Sequence, residues 1–407
     1  MLDIDKLGLS RMQDFDVSAF IDHQVQAIKE VLGKEKALVA VSGGVDSTVS
    51  ALLTHKAIGD NLVCVFIDDN FMRLGEGEYV KSLLSEDPLN LPVRVLNERL
   101  RFMEALNELS DAEEKRKAFR ESFYETLKDA AEEENCKFLV QGTIKADIVE
   151  TSGGIKTQHN ILEQIGIDPV EKYGFTVIEP LKSIYKYQVR AIARELGTPP
   201  ELAERQPFPG PGLSIRVVGN VTAEKLEEVK KATFIVEEQL SPHSPSQYLA
   251  AIFSGEVPKE LKALKRDAAE IMELSDSTVK AGTLAEKATG IINGKRAYGT
   301  ILTIALVDND DRTIEPDYGK LSKLKGYIDD NYPEATRLLL LVDKKEKPGY
   351  IISIRAVKTR DFLTAEVMPI PWSTLKETAV RIFDSCPNVS RVYFDITPKP
   401  PATIEYE

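Results

Sequence analysis

The sequence is poor in cysteine. Its 407 residues hold three, Cys64, Cys136 and Cys386, far apart and without a CxxC spacing. That usage argues against a zinc site, fits a reducing cytoplasm and counts against sulfur transfer through paired cysteines. Long apolar runs are missing too: none approaches the roughly 20 residues that span a bilayer. The opening stretch MLDIDKLGLSRMQDFD carries acidic residues and no apolar core, so it does not read as a signal peptide. No membrane role is expected. Basic residues are in deficit, with 52 Lys and Arg against 65 Asp and Glu for a net charge of −13. Nucleic-acid binders usually carry a basic stripe, so nucleic acid is not an expected partner, and an anionic substrate needs locally placed cations. The Gly-Lys-Ser/Thr ending of a Walker A loop occurs nowhere, and there is no internal repeat or low-complexity segment. With 43% hydrophobic and 29% charged residues, the chain is expected to be soluble and globular, with length for two or three domains.

What is present is organised around Ala37–Gly59, ALVAVSGGVDSTVSALLTHKAIG. Ala37–Val41 is a short apolar run without helical period, as expected of a strand buried on both faces of a parallel sheet. Ser42-Gly43-Gly44 supplies a turn of small residues. From Val45 the apolar residues recur at helical spacing, and Gly59 is a fitting stop. A strand, a glycine turn and a helix N-terminus together form an anion-binding geometry, because the first-turn N–H groups and the helix dipole face the loop. Ser42, Ser47 and Thr48 add hydroxyl donors. Asp46 would repel a phosphate unless a divalent metal lay between them. The plainer reading is a strand-to-helix turn that binds nothing.

Around this stretch the pattern alternates. Asp16 can cap a helix ending at Gly33. Strands are expected at Asn61–Ile67, Pro92–Leu96, Lys137–Val140 and Phe175–Ile178, with helices between them, one of them Ala112–Glu134. That makes a doubly wound α/β parallel sheet. Asp68, just past a strand end, is placed to meet ribose or metal, or is only a solvated turn. Lys115, Arg116 and Lys117 stand beside Glu113 and Glu114, and the usual reading is a solvated face with local ion pairs. Residues 144–173 are polar and poorly periodic, as in a mobile lid. Thr198–Arg216, rich in proline and glycine, marks a boundary that splits the chain into 1–216 and 217–407. Val221 to about Lys287 reads as helical, broken at residues 241–245. A smaller α+β domain follows, with a helix near Thr374–Asp384.

VSGGVDST at 41–48 resembles the pyrophosphate loop of the ATP pyrophosphatases, which have an adenine nucleotide hydrolase-like fold. Further stretches resemble the synthetase part of GMP synthetases: VFIDDNFMR at 65–73, DAEEKRK at 111–117, QGTIKADIVE at 141–150, EPLKSIYKYQVR at 179–190, PFPGPGLSIR at 207–216 and RVYFDITPKPPATIEYE at 391–407. The resemblance implies synthesis of GMP from XMP, ATP and ammonia through adenylyl-XMP, with release of AMP and pyrophosphate. It implies that Ser42, Gly43, Gly44, Val45, Asp46, Ser47, Thr48 and Asp68 bind ATP, with magnesium held at Asp46. Asp46 and Lys186 are the catalytic candidates, Lys186 meeting the pyrophosphate. Arg116, Lys399, Ile404 and Glu405 are the XMP candidates, and two prolines pre-order the 399–407 stretch.

Three positions depart from the family pattern. Gln158 replaces a lid histidine and leaves His159, Tyr187 stands where an aspartate is usual, and Gly294 falls where the family has an XMP-binding aspartate, although Arg296 and Tyr298 fit. The match begins within the first few tens of residues, with no room for a glutaminase domain. The resemblance therefore implies a cytoplasmic synthetase subunit fed with ammonia by a separate glutamine amidotransferase, and a homodimer formed through the second domain. The alternatives are another ATP pyrophosphatase, such as NAD synthetase, and a non-catalytic nucleotide-binding regulator on the same fold.

Overall fold

The computed structural model describes residues 15–152, 167–203, 205–256, 258–359 and 364–407. The expected lid positions Gln158 and His159 lie outside them. The described residues fall into two compact units. One comprises the chain up to Asn70, Gly75–Ala105 and Lys117–Gly210; the other comprises Phe71–Leu74, Leu106–Arg116 and everything from Pro211 on. The division therefore has two short excursions that a single cut at residue 216 lacks.

The first unit is built on a sheet of five parallel strands: β1 (Ala37–Ala40), β2 (Leu62–Asp68), β3 (Val93–Asn97), β4 (Phe138–Val140) and β5 (Thr176–Ile178). Their order is β3-β2-β1-β4-β5. β1 is central, and Ala37, Leu38 and Val39 are buried, as an uninterrupted apolar run requires. The strand order reverses between β1 and β4. This is the topological switch point, where the loops after the two strands leave a crevice for ligand. Asp16 caps the helix Val17–Leu32 by accepting from the Ala19 amide at 2.9 Å. Gly33 ends that helix, which buries Ile21, Ile28 and Leu32.

The second unit is a mixed sheet backed by helices. Its strands are β6 (Gln247–Phe253), β7 (Lys259–Glu260), β8 (Val279–Ile292), β9 (Lys295–Leu306), β10 (Ala335–Lys344), β11 (Tyr350–Lys358), β12 (Glu366–Val367) and β13 (Val389–Asp395). The order is β12-β11-β13-β10-β9-β8-β7, and β6 also pairs with β11. The helix Trp372–Ser385, expected near 374–384, buries Leu375, Ala379, Ile382 and Phe383 and packs on β10 and β13.

The helical reading of 221–287 needs correction. Helices cover Ala223–Leu240 and Lys262–Met272, but β6 and most of β8 fall in the same range. β8, VKAGTLAEKATGII, is rich in good helix formers. Its pairing with β7 and β9 overrides that propensity. β8 and β9 form a hairpin that closes at Asn293 and Gly294, with φ of 52° and 72°. Two successive left-handed residues are what a tight hairpin of this hand demands, and Asn-Gly supplies them. Among the described residues no helix is long and apolar enough to cross a membrane.

Candidate active site

In the first unit the loop Ser42-Gly43-Gly44 joins β1 to the helix Val45–Ile58. Gly43 has φ +72°, and a Cβ there would lie 2.6 Å from the Val80 side chain, so the turn admits only glycine. Gly44 occupies the N-cap position without a side-chain cap, which leaves the first-turn amides without intrahelical acceptors. The hydroxyls shape the loop from within. Ser47 Oγ donates to the Gly44 carbonyl at 3.1 Å and accepts from the Ser42 amide at 3.2 Å. Thr48 is fully buried and its hydroxyl donates to the Gly44 carbonyl at 3.0 Å. Val45 is buried as well, so only its backbone N–H can serve a ligand.

The loop after β4 presses against this turn. A Cβ on Gly142 would stand 2.8 Å from the Ser47 amide nitrogen and 2.9 Å from the Asp46 carbonyl carbon. The glycine of Gln141-Gly142-Thr143 is therefore required by close backbone approach. Gln141 is oriented by its side-chain amide, which donates to the Tyr124 hydroxyl at 2.8 Å.

Asp46 stands in the first turn. Its Oδ2 accepts from Lys186 Nζ at 2.5 Å, and its Oδ1 is buried with no hydrogen-bond partner among the described residues. A carboxylate oxygen buried and unmatched beside a glycine loop at a helix N-terminus suits a hard cation, so the donor set fits magnesium. Asp68, at the end of β2, is held by Arg99, whose Nε donates to its Oδ2 at 2.9 Å. Tyr187 stacks parallel to Tyr185 with ring centroids 6.3 Å apart. The sequence reading missed Arg205. Glu76, itself buried, holds it by two hydrogen bonds at 2.6 and 2.8 Å, and its Nη1 lies beside Gly43. Its only sequence signal was a cation inside the proline-glycine boundary.

Of the basic trio, the solvated-face reading holds for Lys117 alone. Lys115 is 0% and Arg116 5% exposed. Lys115 Nζ donates to Glu407 Oε2 at 2.5 Å and to the Val217 carbonyl at 2.7 Å. Burial pushes the Lys115 ammonium down and the Glu407 carboxyl up, each against the pull of its partner. Arg116 Nη1 donates to Glu113 Oε1 at 2.7 Å, while its Nε and Nη2 are buried without a partner among the described residues. Glu113 also meets Arg296 at 3.5 Å and the Tyr298 hydroxyl at 3.4 Å. Burial and the like charge of Arg116 hold the Arg296 guanidinium below its ordinary range. Burial likewise pushes the Tyr298 phenol up. Two arginines, Arg116 with two buried donors unpaired among the described residues, share the half-exposed Glu113 carboxylate and leave local positive charge inside an acidic chain. A cleft of about 200 Å³ opens beside them, lined in part by Ser110, Asp111, Lys287, Tyr298 and Glu407.

The remaining expected residues lie on the 399–407 stretch. Lys399 pairs through its backbone with Ala365, the two hydrogen bonds measuring 2.8 and 3.0 Å. Ile404 packs against the hydrophobic core. Glu405 takes a two-pronged ion pair from Arg216, both contacts at 2.9 Å. Gly294, where an aspartate was expected, is the left-handed corner of the β8–β9 hairpin.

Residues 335–406 match the model of the GMP synthase C-terminal domain, and residues 16–213 match that of NAD synthase. A subunit of the glutamine-hydrolyzing GMP synthase of Sulfurisphaera tokodaii is 44% identical over 97% of this chain and 100% of its own length. The same subunit from Saccharolobus solfataricus is 41% identical and that from Methanopyrus kandleri 39%, each over 97% of this chain and 100% of its own length. An ATP-pyrophosphatase-type sheet with its glycine loop, a second unit with a buried cationic cluster, and identity of this order along nearly the whole length place the chain in this family of glutamine-hydrolyzing GMP synthase subunits.

Proposed function

We propose that the chain makes GMP from XMP, ATP and ammonia. The observation that carries this reading is Asp46: one oxygen is on Lys186 and the other is buried and unpaired among the described residues, in the first turn of a helix that follows a glycine loop. The loop amides of Gly43 to Thr48, with the Ser42 and Ser47 hydroxyls, hold the pyrophosphate end of ATP. Lys186 meets the same phosphates, and Asp68 takes the ribose. Magnesium held at Asp46 would neutralise the phosphate charge. The C2 oxygen of XMP bonds to the α-phosphorus as the bond to the departing pyrophosphate breaks. Ammonia then adds at C2 and AMP leaves with that oxygen, a proton being lost from nitrogen. Arg116, with Lys399, Ile404 and Glu405, binds XMP, the spare Arg116 donors taking its phosphate or an oxo group.

The ammonia comes from a separate glutamine amidotransferase, in keeping with the relatives' names, which call the enzyme glutamine-hydrolyzing and each of these chains one of its subunits. The second unit pairs two copies into a homodimer in the cytoplasm, with no nucleic acid or membrane involved. An NAD synthase activity is disfavoured because that match ends at residue 213, while 335–406 match GMP synthase. The intact loop disfavours a non-catalytic regulator. The test is to incubate the purified chain with XMP, ATP, magnesium and ammonium salt. GMP and pyrophosphate should form, and glutamine alone should not replace ammonia. Failure with ammonia, or equal turnover with nicotinic acid adenine dinucleotide in place of XMP, would overturn the proposal.

A further inference from the structure

The interior of the second unit holds charge that the proposed reaction does not use. Arg337 on β10, Arg355 on β11 and Asp395 at the end of β13 are each 1% exposed or less. Asp395 Oδ2 accepts from Arg337 Nη1 at 3.1 Å, from Arg355 Nη1 at 2.9 Å and from the Tyr406 hydroxyl at 2.9 Å. The Arg337 guanidinium lies over the Tyr406 ring, 4.4 Å from its centroid. Two guanidiniums against one carboxylate leave a surplus positive charge in the interior. Such charge is costly to desolvate, and apolar residues of similar volume commonly serve stability as well or better. Stability therefore does not account for the arrangement.

The second prong of Arg337 does. Its Nη2 donates to the Thr289 carbonyl at 3.3 Å, the Thr403 hydroxyl at 3.1 Å and the Glu405 carbonyl at 2.5 Å. The Thr289 amide in turn donates to the Tyr406 carbonyl at 2.8 Å, and the Thr289 and Thr403 hydroxyls lie 2.7 Å apart. One planar fork thus fixes β8 and residues 403–406 in a single register. In that register the Glu405 carboxylate meets Arg216. We propose that Arg337 is a positioning residue for XMP: it touches no substrate, and it holds the 399–407 stretch so that Lys399, Ile404 and Glu405 present their side chains to the nucleotide. This rests on the reading that those residues bind XMP.

Arg337→Met removes the fork and the charge at similar volume. The variant should fold with an unchanged or raised melting temperature. Its KM for XMP should rise about tenfold, with KM for ATP and kcat at saturating XMP within about twofold of wild type. Hydrogen exchange at the amides of Thr289 and residues 402–406 should speed up. Arg337→Lys keeps the charge without the fork and should share the XMP defect. Should Arg337→Met fail to fold, Tyr406→Phe, which removes only one bond to Asp395, should raise KM for XMP alone by about threefold. A normal KM for XMP in these variants, or equal losses for both nucleotides, overturns the positioning role. Lys399→Ala and Arg116→Met run alongside separate the two claims. If they raise KM for XMP and Arg337→Met does not, only this inference falls. If they leave it unchanged, the XMP reading falls and this inference with it.

Discussion

Lys186 Nζ lies 2.5 Å from Asp46 Oδ2, joining residues 140 positions apart, while Asp46 Oδ1 is buried and, among the described residues, unpaired beside it. One carboxylate thus faces a fixed cation on one side and an open demand for a cation on the other. Asp46→Asn keeps the shape and removes the charge. We expect pyrophosphate release with XMP and ATP to be abolished while circular dichroism and melting temperature stay near wild type. Near-normal release by the folded variant would remove Asp46 from the chemistry.

Gly142→Ala tests the loop support. The new methyl carbon would stand 2.8 Å from the Ser47 nitrogen and meet backbone that cannot swing away. Overpacking of this kind costs about 1–3 kcal/mol. Since each ~1.4 kcal/mol is tenfold, ATP affinity should fall roughly fivefold to more than a hundredfold. XMP affinity should hardly change. Isothermal titration of each nucleotide decides it; unaltered ATP binding would show that the loop tolerates displacement.

Arg116→Met should separate function from stability. Among the described residues two of the Arg116 nitrogens are buried without a partner, and its one ion pair is to Glu113, whose side chain is 53% exposed. Removing such a group relieves a desolvation cost, so the melting temperature should hold or rise. XMP affinity should drop about tenfold to a hundredfold, the worth of one charge-assisted hydrogen bond at about 1.5–3 kcal/mol. A large fall in melting temperature with unchanged XMP binding would make Arg116 a structural residue.

The thiols offer a test of the fold itself. Burial pushes Cys64 and Cys386 up to about 12 and Cys136 up to about 11. The thiolate is the reactive form, and it is scarce at pH 8 for all three. The native chain should show no rapidly reacting thiol toward a disulfide reagent at that pH, and the three of the sequence after unfolding. A fast-reacting thiol in the native chain would contradict the packing around it.

The first unit was legible because its signals are local. An unbroken apolar run such as Ala37–Val41 marks a doubly buried strand, and a serine-glycine-glycine turn marks a positive φ. Distant partners were not legible. Arg205 is locked in place by Glu76, 129 positions away, and nothing near either residue announces it. Lys115 and Arg116 looked solvated because Glu113 and Glu114 sit next to them. Lys115 is buried by elements far along the chain, Val217 and Glu407 among them. β8 was misread because Lys, Ala, Glu and Leu favour helix until neighbouring strands supply hydrogen bonds. Gly294 looked like a lost ligand in sequence, and the hairpin shows the conformational demand that a glycine meets there.

The central place of β1 bears on how the site comes into being. Its neighbour β2 begins 25 positions after it, pairing Ala37 with Leu62, but its other neighbour β4 lies 101 positions on, pairing Ala37 with Phe138. Gly142, which buttresses Ser47, follows β4. A chain that has joined only β1 and β2 therefore has the glycine loop in sequence but not in shape. Closing so large a loop is slow compared with local pairing. Nucleotide affinity should accordingly be among the last properties to appear during refolding, and ATP should act on the finished fold by slowing its unfolding rather than as a template that hastens its assembly.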